Sequence, residues 1–201
     1  LMVEAEELDL FNNRISFIVN KNCSIRRTKI ISLFFNNLER IDNQSFCGLT
    51  NLQQLYLHYN QIAWIEAGAF RDLTNLKTLF LSYNRIERVS PNIFDSLKFL
   101  NFLDLNNNRI GSLERDTFRS LKNLEKLQIN LNKLKVIEKD TFSGLSALHT
   151  LALGSNKIEH IEPDGFNGLL NLNILNLNLN YLSSIDLSLI HISEPTRQRQ
   201  P

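Results

Sequence analysis

The chain is short of most residues that announce a chemistry. Its 201 residues include 2 cysteines, 4 prolines, 7 glycines, 1 methionine and 1 tryptophan. Two cysteines are too few for a disulfide framework or a cysteine-built structural zinc site. No Gly-rich phosphate loop and no nucleophile elbow occurs. Lys+Arg 22 against Asp+Glu 21 leaves a net charge of +1. That balance gives no case for nucleic acid or for an anionic membrane surface as partner. No apolar run approaches the roughly 18 residues that a membrane span needs. Of the 4 histidines, His58 and His149 fall on predicted strands in distant units and His160 on a loop. None has a partner at metal-ligand spacing. The sequence therefore assigns no metal, no cofactor and no catalytic residue, and it is not expected to be an enzyme.

What is abundant is leucine, about one residue in six, and asparagine, about one in eight. Both recur at a fixed period, the mark of a repeat architecture. Units begin at Ala5, Thr28, Leu52, Leu76, Leu100, Leu124, Leu148 and Leu172, with a first step of 23 residues and later steps of 24. Positions four and six of each unit are apolar, as in Leu8 and Leu10 or Leu55 and Leu57, the spacing of a strand with one buried face. Positions eleven and fourteen carry Ile, Leu or Val, as in Ile62 and Ile65. Position nineteen is Phe46, Phe70, Phe94, Phe118, Phe142 and Phe166, and position twenty-two is leucine from Leu49 to Leu169.

Position nine is asparagine in all eight units: Asn13, Asn36, Asn60, Asn84, Asn108, Asn132, Asn156 and Asn180. A side-chain amide both donates and accepts, so a stacked column of them can satisfy the backbone groups of a buried turn. One unit cannot bury its apolar set alone, so the units must stack. The expected fold is an α/β repeat solenoid, a curved horseshoe. A parallel sheet lines its concave face, and irregular or 3₁₀ segments form its convex face.

The pattern LxxLxLxxNxLxxIxxxxFxxLxx resembles the "typical" subclass of leucine-rich repeats over residues 5–186. Its 24-residue length and position-nineteen Phe are similar to extracellular members: Toll-like receptors, Slit-type guidance proteins, chaoptin-like adhesion proteins and matrix proteoglycans. Cytosolic ribonuclease-inhibitor types and plant receptor-kinase repeats do not fit. The resemblance implies a cell-surface or secreted recognition role, and membrane attachment only through segments absent from this chain.

Three stretches are expected. Residues 1–4 read as a truncated remnant, without signal peptide or cysteine-rich cap, and 5–186 are the array of eight units. Residues 187–201 begin LSLIHISEPTR, which resembles a translated sequencing adapter, so the tail and its His191 are read as non-native. Raw apolar ends without caps should make the isolated chain aggregate. Counted from Ala5, Cys23 falls at position nineteen and Cys47 at position twenty, one inward and one outward, which favours two free thiols. Asn22-Cys-Ser and Asn43-Gln-Ser are N-glycosylation sequons on the convex loops. Trp64 is expected to be a partly buried packing residue. Position ten carries a basic stripe (Arg14, Arg85, Arg109, Lys133, Lys157) and position fifteen an acidic one that includes Asp42, Glu66 and Glu162.

The free strand positions three, five, seven and eight face the concave side. They hold Phe11, Phe34, Phe35, Tyr56, His58, Tyr59, Phe80, Tyr83 and Phe102, then turn polar or small from Asn106 onward. Position eight, beside the turn, is expected to be half-buried. Rings of this size exceed the exposed apolar patch usual for a monomer, and Tyr and Phe are common interface anchors. The ligand-binding residues are therefore read as Phe34, Phe35, Tyr56, His58, Tyr59, Phe80, Tyr83 and Phe102, holding a protein ligand or receptor partner. The alternatives are a secreted matrix protein that homodimerises through this face and, less favoured by repeat type, an intracellular scaffold.

Overall fold

The computed structural model describes residues 5–21, 23 and 25–187. In chain order its strands are β1 (Glu7–Asp9), β2 (Ile30–Ser32), β3 (Arg40–Ile41), β4 (Gln54–Tyr56), β5 (Trp64–Ile65) and β6 (Thr78–Phe80). They continue with β7 (Phe102–Asp104), β8 (Lys126–Gln128), β9 (Val136–Ile137), β10 (Thr150–Ala152), β11 (His160–Ile161) and β12 (Ile174–Asn176). Eight of them form one parallel sheet in the order β1-β2-β4-β6-β7-β8-β10-β12. The short pairs β3–β5 and β9–β11 extend the stacking to one side.

Register is the same at every step. Leu8 lies beside Ile31, Ile31 beside Leu55, Leu55 beside Leu79, and so on to Leu175. Each leucine of position four therefore faces the same core from every strand, which is why a period of 24 encodes a sheet without stagger. Behind the sheet run the buried residues of positions one, four, six, eleven and twenty-two and the phenylalanine column. The convex segments are successive turns, and among the described residues there is no α-helix.

Curvature follows from unequal spacing on the two sides. Parallel strands lie about 4.8 Å apart. The convex rings Phe46, Phe70, Phe94, Phe118, Phe142 and Phe166 stack with centroids 6.0–6.4 Å apart. Rings on the opposite face approach to 4.1–4.6 Å in the closest pairs. A stack that is wider behind than in front must bend with its sheet on the inner side.

The asparagines of position nine close the turn. Asn60 Nδ2 donates to the carbonyls of Leu57 (3.1 Å), His58 (3.3 Å) and, one unit back, Leu33 (2.9 Å). Its Oδ1 accepts from Leu38 N–H at 3.0 Å. Asn84, Asn108, Asn132 and Asn156 repeat this set. Just before each asparagine the backbone enters the left-handed region, at Asn12, Phe35, Tyr59, Tyr83, Asn107, Leu131, Ser155 and Leu179, with φ between 51 and 56°. Non-glycine residues pay for that conformation, most of all bulky ones. The amide column holds it in place.

The two cysteines are not free thiols: Cys23 and Cys47 are joined by a disulfide, with Cα atoms 4.9 Å apart. Counting from Ala5 put them at different positions because it placed the missing residue of the first unit after Cys23. The structure places it between Ile15 and Cys23. Ile15 N–H reaches Asn36 across 21 residues, where Leu38 reaches Asn60 across 22, so the first unit is still one residue short at Ile15. Cys23 and Cys47 are a full 24 residues apart, at equivalent points on adjacent turns. Gly48, at φ +75°, permits the close approach, since a Cβ there would strike the Cys23 carbonyl.

Trp64 is 59% exposed, not a packing residue. Asn43 is half-buried, and both its N–H and its Nδ2 donate to the Glu66 carboxylate. Asn22, His191 and residues 188–201 of the adapter-like tail lie outside the described residues.

Candidate functional site

The sheet places its aromatic residues in three columns that run along the concave face. At position seven, Phe11 stacks on Phe34 (4.5 Å) and Phe34 on His58 (4.6 Å, planes within 10°). At position eight, Phe35 stacks on Tyr59 (4.3 Å) and Tyr59 on Tyr83 (4.1 Å). The third column starts at position five with Tyr56 on Phe80 (5.1 Å) and passes to Phe102 at position three (5.0 Å). Lys126 Nζ closes it, 5.5 Å from the Phe102 centroid, in reach of a cation–π attraction. All eight rings read from the sequence as ligand-binding thus lie on one surface, with Phe11 as a ninth.

Exposure differs between columns in a way the sequence pattern does not give. The position-eight rings are open, with Phe35 at 46%, Tyr83 at 44% and Tyr59 at 38%, as is Phe11 (45%) at the end of the position-seven column, whereas Phe34, Tyr56, His58, Phe80 and Phe102 are half-buried. The left-handed turn lifts position eight off the sheet. Within each column the faces of the inner rings are covered by their neighbours. What the surface presents outward is ring edges, the positive rim of the aromatic quadrupole, together with the tyrosine hydroxyls.

Two titrations belong to this face. Burial pushes the His58 imidazole below its ordinary value of 6.5, and the Asp104 carboxylate pulls the other way. The His58 Nδ1 is buried without a hydrogen-bond partner, so the ring serves as a flat, neutral element of its column. The Tyr59 hydroxyl is pushed above the ordinary phenol value, first by its hydrogen bond with Tyr83, then by desolvation and the Tyr83 charge.

From the fifth unit the same surface is built of amides. Asn106 Nδ2 donates to Gln128 Oε1 (3.2 Å), and Asn106 Oδ1 accepts from Asn130 N–H (2.7 Å). Asn130 Oδ1 in turn accepts from Gly154 N–H (2.8 Å). This second ladder sits at position seven, and sequence reasoning missed it although the 24-residue spacing of Asn106, Asn130 and Gly154 was visible. A Cβ on Gly154 would collide with the Asn178 amide. Buried Asp104 marks the border, its Oδ1 accepting from Asn106 N–H at 3.0 Å.

Nothing here resembles a reaction centre. Among the described residues no group of His, Cys, Asp and Glu is placed to hold a metal ion, and no helix is long and apolar enough to cross a membrane. The fold and its exposed, preformed inner surface define a solenoid module of recognition type. The signature of the family described as "Leucine rich repeat" matches residues 4–62, 60–110, 100–157 and 146–192, and the chain belongs to that family. A solved structure similar to it is "Crystal structure of TLR13-ssRNA13 complex", 32% identical with a TM-score of 0.79. The match covers 84% of this chain and 24% of that receptor, so the chain spans about a quarter of its length. No curated protein matches the chain significantly.

Proposed function

We propose that the chain is the ligand-recognition part of a cell-surface or secreted receptor, adhesion or guidance protein, and that it holds a protein ligand on the ring columns of the first five units. The observation that carries this is the exposed position-eight column, Phe35, Tyr59 and Tyr83, on a face whose backbone is fixed by the asparagine ladder. A preformed surface loses little ordering entropy on binding, and outward-facing ring edges suit aliphatic and aromatic side chains of a partner. Its role is binding rather than catalysis. The Cys23–Cys47 disulfide supports an oxidising, extracellular setting, with Asn22 and Asn43 as the sequons a glycan would use. In the matrix-protein alternative, the partner on the same face is a second copy.

The test is a panel of cell-surface ectodomains presented to the wild type and to Tyr56→Ala with Phe80→Ala. Partners that bind the wild type should lose affinity for the double variant while its circular dichroism stays that of a folded array. Equal affinity for both proteins would refute the concave assignment. A concentration-dependent dimer that the variant abolishes would favour the matrix reading.

The RNA in the similar receptor structure supports a second reading, in which this chain takes single-stranded nucleic acid. Composition gave no case for that partner, yet the neighbour leaves the exclusion without support. Such binding needs open ring faces for bases to stack on, and here the inner faces are occupied. Fluorescence anisotropy with a labelled single-stranded RNA decides it: binding that is lost in Tyr83→Ala would favour this reading over a protein ligand.

A further inference from the structure

We infer a second binding site, bordering the position-eight rings, for a sulfated glycan chain along the position-ten edge formed by Arg85, Arg109, Lys133 and Lys157. These four cations fall on consecutive turns, one per turn, and all are exposed. Among the described residues none of them takes part in an ion pair, whereas Lys29, Arg40, Arg71 and Lys139 each have an acidic partner.

Their spacing is set by the backbone. The N–H of each donates to the carbonyl of the preceding turn: Arg85 to Ile62 (2.9 Å), Arg109 to Ile86 (2.8 Å), Lys133 to Ile110 (2.9 Å) and Lys157 to Leu134 (2.9 Å). Their backbone positions are therefore held in single file, one per turn. A linear polyanion running along the axis meets one cation at each turn and relieves the mutual repulsion of the row.

The surroundings select the kind of polyanion. Arg85 and Arg109 border a shallow hollow of about 570 Å³ that they share with the position-eight rings Phe35, Tyr59 and Tyr83 and with Asn107 and Leu131. Past Tyr83, alongside Lys133 and Lys157, position eight carries no further ring but Asn107, Leu131 and Ser155, which gives a glycan amide and hydroxyl groups there and bases no ring to stack on. This site rests on the proposed extracellular setting, which the disulfide supports and where sulfated glycans occur. Glu87 and Glu159 stand two residues from the row, but Lys135 does too; of the position-fifteen carboxylates on the same turns, Glu114, Glu138 and Glu162, the last accepts from the Lys139 backbone N–H.

Binding of a heparin-type oligosaccharide by the whole chain tests this, measured across a salt series. Affinity should fall at least tenfold in Arg85→Glu/Arg109→Glu, and the slope of log affinity against log salt should flatten by roughly one per cation removed, as for phosphate contacts. Lys133→Arg/Lys157→Arg should bind like the wild type. A desulfated oligosaccharide should not bind. Wild-type affinity in the charge-reversed variant, or a single-stranded RNA of equal charge binding as tightly as the glycan, would overturn the assignment. Unchanged thermal midpoints exclude loss of fold as the cause.

Discussion

Two sets of aromatic rings run along this solenoid, and they differ in everything but their chemistry. The convex phenylalanines are essentially buried, one per turn, 6.0–6.4 Å apart. The concave rings are half-buried to exposed, several per turn, as close as 4.1 Å, and they stop after the fifth unit while the convex column goes on to Phe166. A residue that the architecture needs recurs in every unit that has the same neighbours. A residue that only part of the array carries answers to something outside the array. The comparison separates rings that hold the fold from rings that we propose serve recognition.

It breaks if the convex column is dispensable. Phe94→Ala removes a buried ring stacked on both sides and should lower unfolding free energy by about 3–5 kcal/mol in urea, with no change at the concave face. The first unit tests the convex column where its ring is missing. Reducing Cys23–Cys47 should cost about 2–4 kcal/mol, felt as faster amide exchange in the first two units rather than throughout, since solenoid units depend mainly on their neighbours. Asn108→Ala leaves the Ile86 N–H without its partner and takes one of two amide donors from each of the Leu81 and Leu105 carbonyls, which keep Asn84 and Asn132, and should cost about 1–3 kcal/mol.

The pH dependence of the concave face is smaller. His58 has a folded-state pKa below its unfolded value near 6.5, so the unfolded chain takes up a proton first as pH falls. Stability from this group is complete above the unfolded value, declines as pH drops through it, and levels off below the folded value. Urea titrations of the wild type and His58→Gln should therefore run parallel above neutrality and draw apart only on acidification, with the wild type losing more.

Most of the fold was legible because the repeat is strict. Positions four, six, nine and nineteen each have one physical task, and eight copies left no ambiguity in strand register or in which amides line up. The disulfide was misread because one missing residue shifts every count made across it, and only the packing of Cys23 against Cys47 and Gly48 shows that it falls before Cys23. The concave rings were identifiable by alternation, which assigns a face but not a height above it. The exposure of Tyr59 and Tyr83 arises from the left-handed backbone at position eight, and no side-chain signal in the sequence reports that turn. Asp104 and Asn106 were visible only as polar residues, because the ladder they start depends on amides meeting across turns.

The most direct test of the division between the two ring sets is urea unfolding of Tyr59→Ala/Tyr83→Ala beside Phe94→Ala. The position-eight rings are exposed and contribute cross-strand contacts worth at most about 1 kcal/mol each. The double variant should therefore unfold within about 1–2 kcal/mol of the wild type at unchanged slope, well short of the loss in Phe94→Ala. A loss in the double variant equal to that of Phe94→Ala would mean that the concave rings hold the fold as the convex ones do, and would contradict the account.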